Sequence, residues 1–393
     1  MNRARLARAM TLARPAALAV AAALAVGLPA RAARGDATES LAVKPSAARM
    51  ASYPLVLLVQ ADAVVASEPD LAARAAGDDP PLGSDVRLRR ARAGGDVSLH
   101  SGQWRLRWLL EAQGKGQLRA PLEGNRIPVG DTARVPEAFA AWIPDRAAQV
   151  SVGAMRVPIS LSRQVDEADL RLPERAQIVT AVVPDFRVGA AFTSDLGLLH
   201  LRVAGMSADR NLDSRLFTSG WFGALRLDAE PLGPMGVAPW RRRTDDPWYG
   251  WFRFSAGVSV LYGTLLGPNA LVVGGDGQLQ WKRLTVTAEY LAERDGSGEH
   301  DGQWPRQGAV VEPGVFVARE RVELVLRAAW YRRPDDRTAP TTDRTDTFAA
   351  GAGVTLFTYA ARLRLQAAVE LRRTAREALP DSHWGIFRAT LTI

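Results

Sequence analysis

Apolar residues recur at every second position over much of this chain. Trp104, Leu106, Trp108 and Leu110 alternate with Arg105, Arg107, Leu109 and Glu111. Leu284, Val286, Ala288 and Tyr290 alternate with Arg283, Thr285, Thr287 and Glu289. In the run 361–371, one face carries Ala and Leu with a Val, and the other carries Arg362, Arg364, Gln366, Ala368 and Glu370. A period of two puts one face of a strand in an apolar phase and the other in a polar one. Sixteen such runs are expected, starting near Tyr53, Val86, Trp104, Arg134, Ala148, Asp185, Leu198, Gly220, Trp251, Ala270, Arg283, Gln307, Arg321, Thr345, Ala360 and His383. Each spans about 9–14 residues, the length of a tilted strand that crosses a bilayer. Helical segments are scarce. Residues 40–49 and the neighbourhood of Asp166 each hold a turn or two at most.

The connections sort by length. Tight turns at 101–103, 145–146, 195–197, Lys282, 319–320 and 358–359 alternate with long polar segments at 67–85, 115–133, 158–184, 207–219, 295–306, 334–344 and 374–382. One position breaks the alternation. At 230–250, where a short turn is due, stands EPLGPMGVAPWRRRTDDPWYG, with Arg241, Arg242 and Arg243 in a row. Short turns on one rim and long loops on the other are the mark of an outer-membrane barrel. Tryptophans agree. Trp104, Trp221, Trp251 and Trp384 open strands, and Trp142, Trp281 and Trp330 lie near strand ends, as the aromatic girdles of a barrel require. The fold expected is all-β: a transmembrane antiparallel β-barrel of sixteen strands, with the third long loop folded inward.

The first 32 residues carry a different message. Arg3, Arg5, Arg8 and Arg14 precede an uncharged apolar run from Ala16 to Leu28, and Ala30-Arg31-Ala32 follows as a small-x-small site. This pattern reads as a Sec-type signal peptide cleaved near Ala32. Residues 33–52 would then be a short periplasmic lead, and 53–393 the barrel. Five arginines and no acid fall within residues 1–32, so the formal charge of the remainder drops from +8 to +3. The high isoelectric point therefore gives no case for nucleic-acid binding. Arginine supplies nearly all of the basic charge, because lysine occurs only at 44, 115 and 282. The chain has no cysteine, and beyond the leader it has no run of about 18 apolar residues, so no membrane helix.

Four segments resemble the phosphate-selective porin O/P family of Gram-negative outer membranes, in the family's order and spacing. VRLRRARAGGDVSLHSGQWRLRWLLEA (86–112) is similar to its Arg-Arg-Ala-Arg strand, tight turn and Trp-led return strand. VSVGAMRVPISL (150–161), LPER (172–175) and LTVTAEYLAER (284–294) look like its Val-Gly-x-x-Lys-x-Pro-Phe stretch, its Glu-Arg pair and its Ala-Glu-Tyr strand. The resemblance covers roughly 50–393. It implies a water-filled channel for small hydrophilic solutes in the outer membrane, passing phosphate or other oxyanions. It also implies contact with outer-membrane lipid, delivery by the barrel-assembly machinery and, as in porins of this size, a homotrimer. Departures are specific. Met155-Arg156 and Ile159 replace the family's Phe-Lys and Phe, and the last residue is Ile393 where such barrels end in Phe or Trp. With lysine nearly missing, a lysine-based phosphate site does not carry over.

Alternation assigns Arg105, Arg107, Arg187, Arg202, Arg226, Arg253, Arg327, Arg362, Arg364 and Arg388 to the lumen, facing the acids Glu111, Asp228, Glu289, Glu323 and Glu370. Ten cations against five anions predict a positive lumen and a preference for anions. The competing expectation is that these charges pair across neighbouring strands and only stiffen the wall. In loop 158–184, Asp166, Glu167 and Asp169 form an acidic cluster flanked by Arg163, Arg171 and Arg175. With Arg156 at its root, in place of the family's lysine, this loop is expected to form the constriction and to contact permeating anions. The plainer expectation is a surface loop with solvated charges.

Enzymatic chemistry has little support. His100, His200, His300 and His383 show no metal-ligand spacing. No Gly-x-Ser-x-Gly elbow is present. VVGGDG (272–277) lacks the P-loop lysine and the following helix. No cofactor, metal or catalytic residue is expected. Besides the porin, two expectations stand: a closed or narrow barrel with a structural or adhesive role, and a secreted soluble β-sandwich.

Overall fold

The computed structural model describes sixteen strands between residues 55 and 392, several of their turns, and most of the segment 157–185. Residues 1–54, 68–81, 114–131, 166–169, 209–219, 236–250, 265–268, 295–303, 335–343, 358–362 and 375–381, with a few isolated positions, lie outside this description. The expected signal peptide and lead segment, the Arg241–Arg243 run, Arg362 and the Asp166, Glu167, Asp169 cluster all fall there.

The strands are β1 (Leu55–Ser67), β2 (Leu82–Leu99), β3 (Trp104–Gln113), β4 (Thr132–Asp145), β5 (Ala148–Arg156), β6 (Phe186–Asp195), β7 (Leu199–Ser207), β8 (Trp221–Ala229), β9 (Phe252–Gly263), β10 (Ala270–Trp281), β11 (Leu284–Arg294), β12 (Arg306–Ala318), β13 (Val322–Pro334), β14 (Arg344–Phe357), β15 (Leu363–Thr374) and β16 (Ser382–Thr392). Each pairs antiparallel with its sequence neighbours, and β1 pairs with β16, so the sheet closes on itself. Closure removes both sheet edges, the condition under which a sheet can cross a bilayer. The soluble β-sandwich is thereby overturned: the described residues form one closed sheet, with no second sheet among them to pack on it.

The alternation maps directly onto the wall. Trp104, Leu106, Trp108 and Leu110 are 41–50% exposed, and so are Trp142, Trp281, Val258, Leu326 and Val369 at 45–60%. Outward apolar side chains of this kind are stable only against lipid. Trp104 stands opposite Trp142 in register beside the short turns, and the Lys282 ammonium lies 5.2 Å from the Trp281 ring centroid on the same rim. Many inward residues are polar and buried. Glu111, Arg226, Arg253, Glu323 and Gln366 are all below 2% exposure or nearly so.

Strand length decides where the third long loop starts. β5 has 9 residues against 14 in β4, and its pairing with β4 reaches only to Ala154 opposite Ala138. Arg156 is the last residue paired to β6, opposite Phe186. Pro158 has no N–H for the ladder. The chain therefore leaves the wall well below the top of β4 and enters the lumen instead of rising past the rim. There it forms two short helices, α1 (Leu161–Gln164) and α2 (Gln177–Val182). Ser160, at φ 68°, caps α1 by accepting from the Arg163 N–H at 3.2 Å.

An apolar band on the inner wall receives this loop. Met206, Phe222, Leu261, Val272, Leu291, Val310 and Tyr331 project inward from β7 to β13 and bury Ile159, Ile178, Val179 and Val182. This band explains why the loop does not stay in water: α2 has one wholly apolar side, and the lumen supplies its counterpart.

Candidate functional site: the charged lumen and its inward loop

Below the apolar band, the loop is fastened to the wall by arginines. Arg171 donates from Nε to Glu323 Oε1 at 2.9 Å and from Nη1 to the Glu312 carbonyl at 2.7 Å, with both ionic side chains at 0–1% exposure. Its own carbonyl accepts from the Thr355 hydroxyl at 3.3 Å and from Gln366 Nε2 at 3.1 Å. Arg327, on β13, donates to Glu312 Oε1 at 2.8 Å, to Glu370 Oε2 at 3.0 Å and to the Glu174 carbonyl at 2.5 Å. Arg364 and Gln366 both donate to the Leu170 carbonyl. Segment 170–175 is thus held along β12 to β15.

Glycines on the wall make room for it. At Gly314 a Cβ would occupy the place of the Arg171 guanidinium, at Gly353 that of the Leu172 Cδ2, and at Gly308 it would lie 3.1 Å from the Ile178 Cβ. The fit therefore involves two strands, β12 and β14, and needs the absence of side chains at three positions.

The loop also braces itself. Arg175 donates to the Ser162 carbonyl at 3.0 Å and the Val165 carbonyl at 2.7 Å. Arg163 lies 3.4 Å from the Pro184 carbonyl and 3.7 Å from Asp185. Arg163, Arg171 and Arg175 are 8%, 2% and 8% exposed, so the three loop arginines are placed otherwise than a solute-contacting set would be. They sit on the loop's packed side because a guanidinium offers five donors, and here the loop carbonyls and wall carboxylates take them up.

A second group of charges stands on β2 to β5, away from that fastening. Arg105 donates from Nε to Asp96 Oδ1 at 2.7 Å. Arg107 is 2.6 Å from Glu137 Oε2 and 3.9 Å from Asp96. Arg156 donates to Glu137 Oε1 at 3.2 Å and to the Gln164 carbonyl at 3.0 Å, with its guanidinium 5.3 Å from the Phe186 ring centroid. Gln164 in turn accepts from Arg202 at 3.3 Å. The side chains of Arg105 and Arg107 keep 35% and 33% exposure and that of Arg156 keeps 15%. Three cations share two anions here, with surface left open to the lumen.

The count of inward charge needs correction. The ten-to-five excess rested on arginines without inward partners, and the structure supplies acids that alternation missed: Asp96, Glu137, Asp276 and Glu312. Arg226 donates to Asp276 at 2.6 and 2.8 Å and to Asp228 at 3.0 Å. Arg253 donates to Gln280 at 2.7 Å, a neutral partner. Arg187 donates to the Phe186 carbonyl at 2.7 Å. Arg388 stands in backbone register opposite Gln366 and Asp62. Cross-strand pairing, the competing expectation, describes Arg226 and Arg327 well; Arg105 and Arg107 are paired and open at once. Among the described residues no group of three or more His, Asp or Glu could hold a metal ion.

A closed antiparallel barrel with an apolar outer belt and a charged interior is the architecture of an outer-membrane β-barrel. Known structures share that fold. OprB of Pseudomonas putida matches at 10% identity over 87% of this chain and 94% of its own, with a TM-score of 0.59. An anion-selective porin from Comamonas acidovorans matches at 11% identity over 87% and 100%, with a TM-score of 0.53. A trimer form of the outer-membrane protein OmpT of Vibrio cholerae, folded in vitro, matches at 10% identity over 88% and 100%, with a TM-score of 0.52. No protein-family model matches the sequence. No curated protein matches it either. At such identities the likeness concerns the fold.

Proposed function

We propose that this protein is an outer-membrane porin that passes small hydrophilic solutes by diffusion and prefers anions. The observation that carries the reading is the pair Arg105 and Arg107: inward, ion-paired, yet about one-third exposed. The loop packs on the β7–β15 side of the lumen, so solutes run along β2 to β4, past these guanidiniums. A cation that keeps open surface beside an acid still attracts a passing anion, at a potential set by the local excess of charge. The geometry of Arg105, Arg107 and Arg156 suits oxyanions, phosphate among them, since each guanidinium offers paired N–H donors. The fold match to a trimer form supports a homotrimer as the working state.

Reversal potentials in planar bilayers under a salt gradient test this reading. Refolded protein should conduct and favour the anion, and Arg105→Ala with Arg107→Ala should bring the permeability ratio close to one. A ratio unmoved by the double substitution would remove these residues from the path. The burial of Arg226, Arg253, Arg327 and Arg364 favours a second reading, a closed barrel with a structural role; absence of any conductance from a folded, heat-modifiable barrel would establish it.

A further inference from the structure

A groove of about 580 Å³ runs over β12 to β15. Most of its lining residues fall in two outward rows of the wall. Ala309, Trp330, Phe348 and Arg373 stand in register in one, and Val311, Ala328, Ala350 and Leu371 in the next. Phe348, Leu371 and Val311 are 53%, 50% and 42% exposed, which places the groove on the lipid side. Alanines form its floor, and the larger side chains on either side form its banks. The volume lies within the usual range of about 300–1,000 Å³ for ligand pockets.

The end of the groove nearest the long-loop rim is basic. Arg373 is the penultimate residue of β15, is exposed, and has no hydrogen-bond or ion-pair partner among the described residues. In the same region, Asp346 accepts from Trp330 Nε1 at 3.0 Å and from Arg332 Nε at 2.8 Å, and the Arg332 guanidinium lies 5.3 Å from the Trp330 ring centroid. One arginine is therefore neutralised and stacked, whereas the other points its charge outward with nothing to meet it. An unpaired cation on the lipid face is costly inside hydrocarbon. At the interface it gains an anionic headgroup.

We propose that this groove holds an acyl chain of a phosphate-bearing lipid of the outer leaflet, with Arg373 on the phosphate. The chain lies on Ala309, Ala328 and Ala350 between Trp330, Phe348 and Leu371. Arg373 closes the headgroup end. The Arg332–Asp346 pair holds Trp330 upright as one bank. The inference rests on the outer-membrane reading above.

Native mass spectrometry of the folded barrel in detergent micelles doped with lipid A tests it, with phosphatidylcholine as the comparison lipid. The wild type should retain lipid A and release phosphatidylcholine. Arg373→Ala should weaken retention about fivefold, the size expected for one basic residue near a membrane surface, and Arg373→Lys should restore most of it. Ala350→Phe should also weaken it by filling the floor, without touching the charge. Equal retention of the two lipids, or retention unchanged in both Arg373→Ala and Ala350→Phe, would overturn the proposal. A change in oligomeric state in place of lipid loss would overturn it in favour of a second copy on this face. Folding of each variant is checked by heat-modifiable migration. A barrel that conducts in bilayers but keeps no lipid A overturns this inference alone; one that keeps lipid A but does not conduct overturns only the porin reading.

Discussion

The guanidinium of Arg171 on the inward loop occupies the space that a Cβ would fill at Gly314 on β12. The same guanidinium reaches the buried Glu323 carboxylate at 2.9 Å. A missing side chain on one strand thus lets a loop residue reach an acid on the next. Replacing Gly314 with Val should expel Arg171 and loosen segment 170–175. The expected result is larger or noisier single-channel conductance with the barrel still folded. Conductance identical to wild type would mean that the loop does not depend on this contact.

Removing one member of that ion pair should be worse than removing both. Arg171→Ala leaves Glu323 buried without its cation, at a cost of about 3–5 kcal/mol. Arg171→Met combined with Glu323→Leu takes away both charges and should recover most of that loss. Urea unfolding followed by tryptophan fluorescence compares them. If the double variant is no more stable than Arg171→Ala, the packing of the loop, rather than the charge pair, dominates there.

Glu137 shares its carboxylate between Arg107 and Arg156. Glu137→Gln keeps the shape and takes away the negative charge, so the exposed cluster gains one unit of net positive charge. Anion over cation permeability should rise, and the effect should shrink at high ionic strength as screening shortens its reach. A shift toward cations would contradict the placement of this cluster on the solute path.

Gly257 lies among the Arg226, Asp228 and Asp276 side chains. A Cβ there would stand 2.6 Å from the arginine Nη2 and 2.7 Å from an oxygen of each acid. Gly257→Ala should push the three apart and destabilise the barrel by about 1–3 kcal/mol, the cost of disturbing buried polar partners. The midpoint of heat-modifiable migration reads the change. An unaltered midpoint would show that the cluster has room to shift.

The outer wall gives a control of opposite character. Val258, in the middle of β9, points outward at 60% exposure. Val258→Arg places a charge in hydrocarbon and should cost about 2–4 kcal/mol when the barrel is folded into lipid vesicles. A detergent-only measurement should show less, because a micelle lets water reach the site more readily than a bilayer core does.

Sixteen strands, the two faces of each and the sorting of loops onto rims were legible in the sequence. Strand starts expected at Trp104, Ala148 and Ala270 coincide with those in the structure, and the others differ by a few residues. The physical reason is that a barrel wall between lipid and water imposes period two on every strand, and a strand reports that period within its own few residues.

Partners were not legible, because they depend on register between strands far apart in sequence. Asp96 follows two glycines, Glu137 follows a proline, Asp276 lies between glycines and Glu312 precedes a proline. In such stretches the alternation is thin, and the face is not readable. The destination of the loop was hidden for a related reason. Arg171 finds Glu323 across 152 positions of sequence, and it does so only because Gly314 leaves the gap. The inward arginines of the sequence separated into an open pair on β3 and a buried, ion-paired set against β12 to β15 only when closure of the barrel fixed which side the loop would cover.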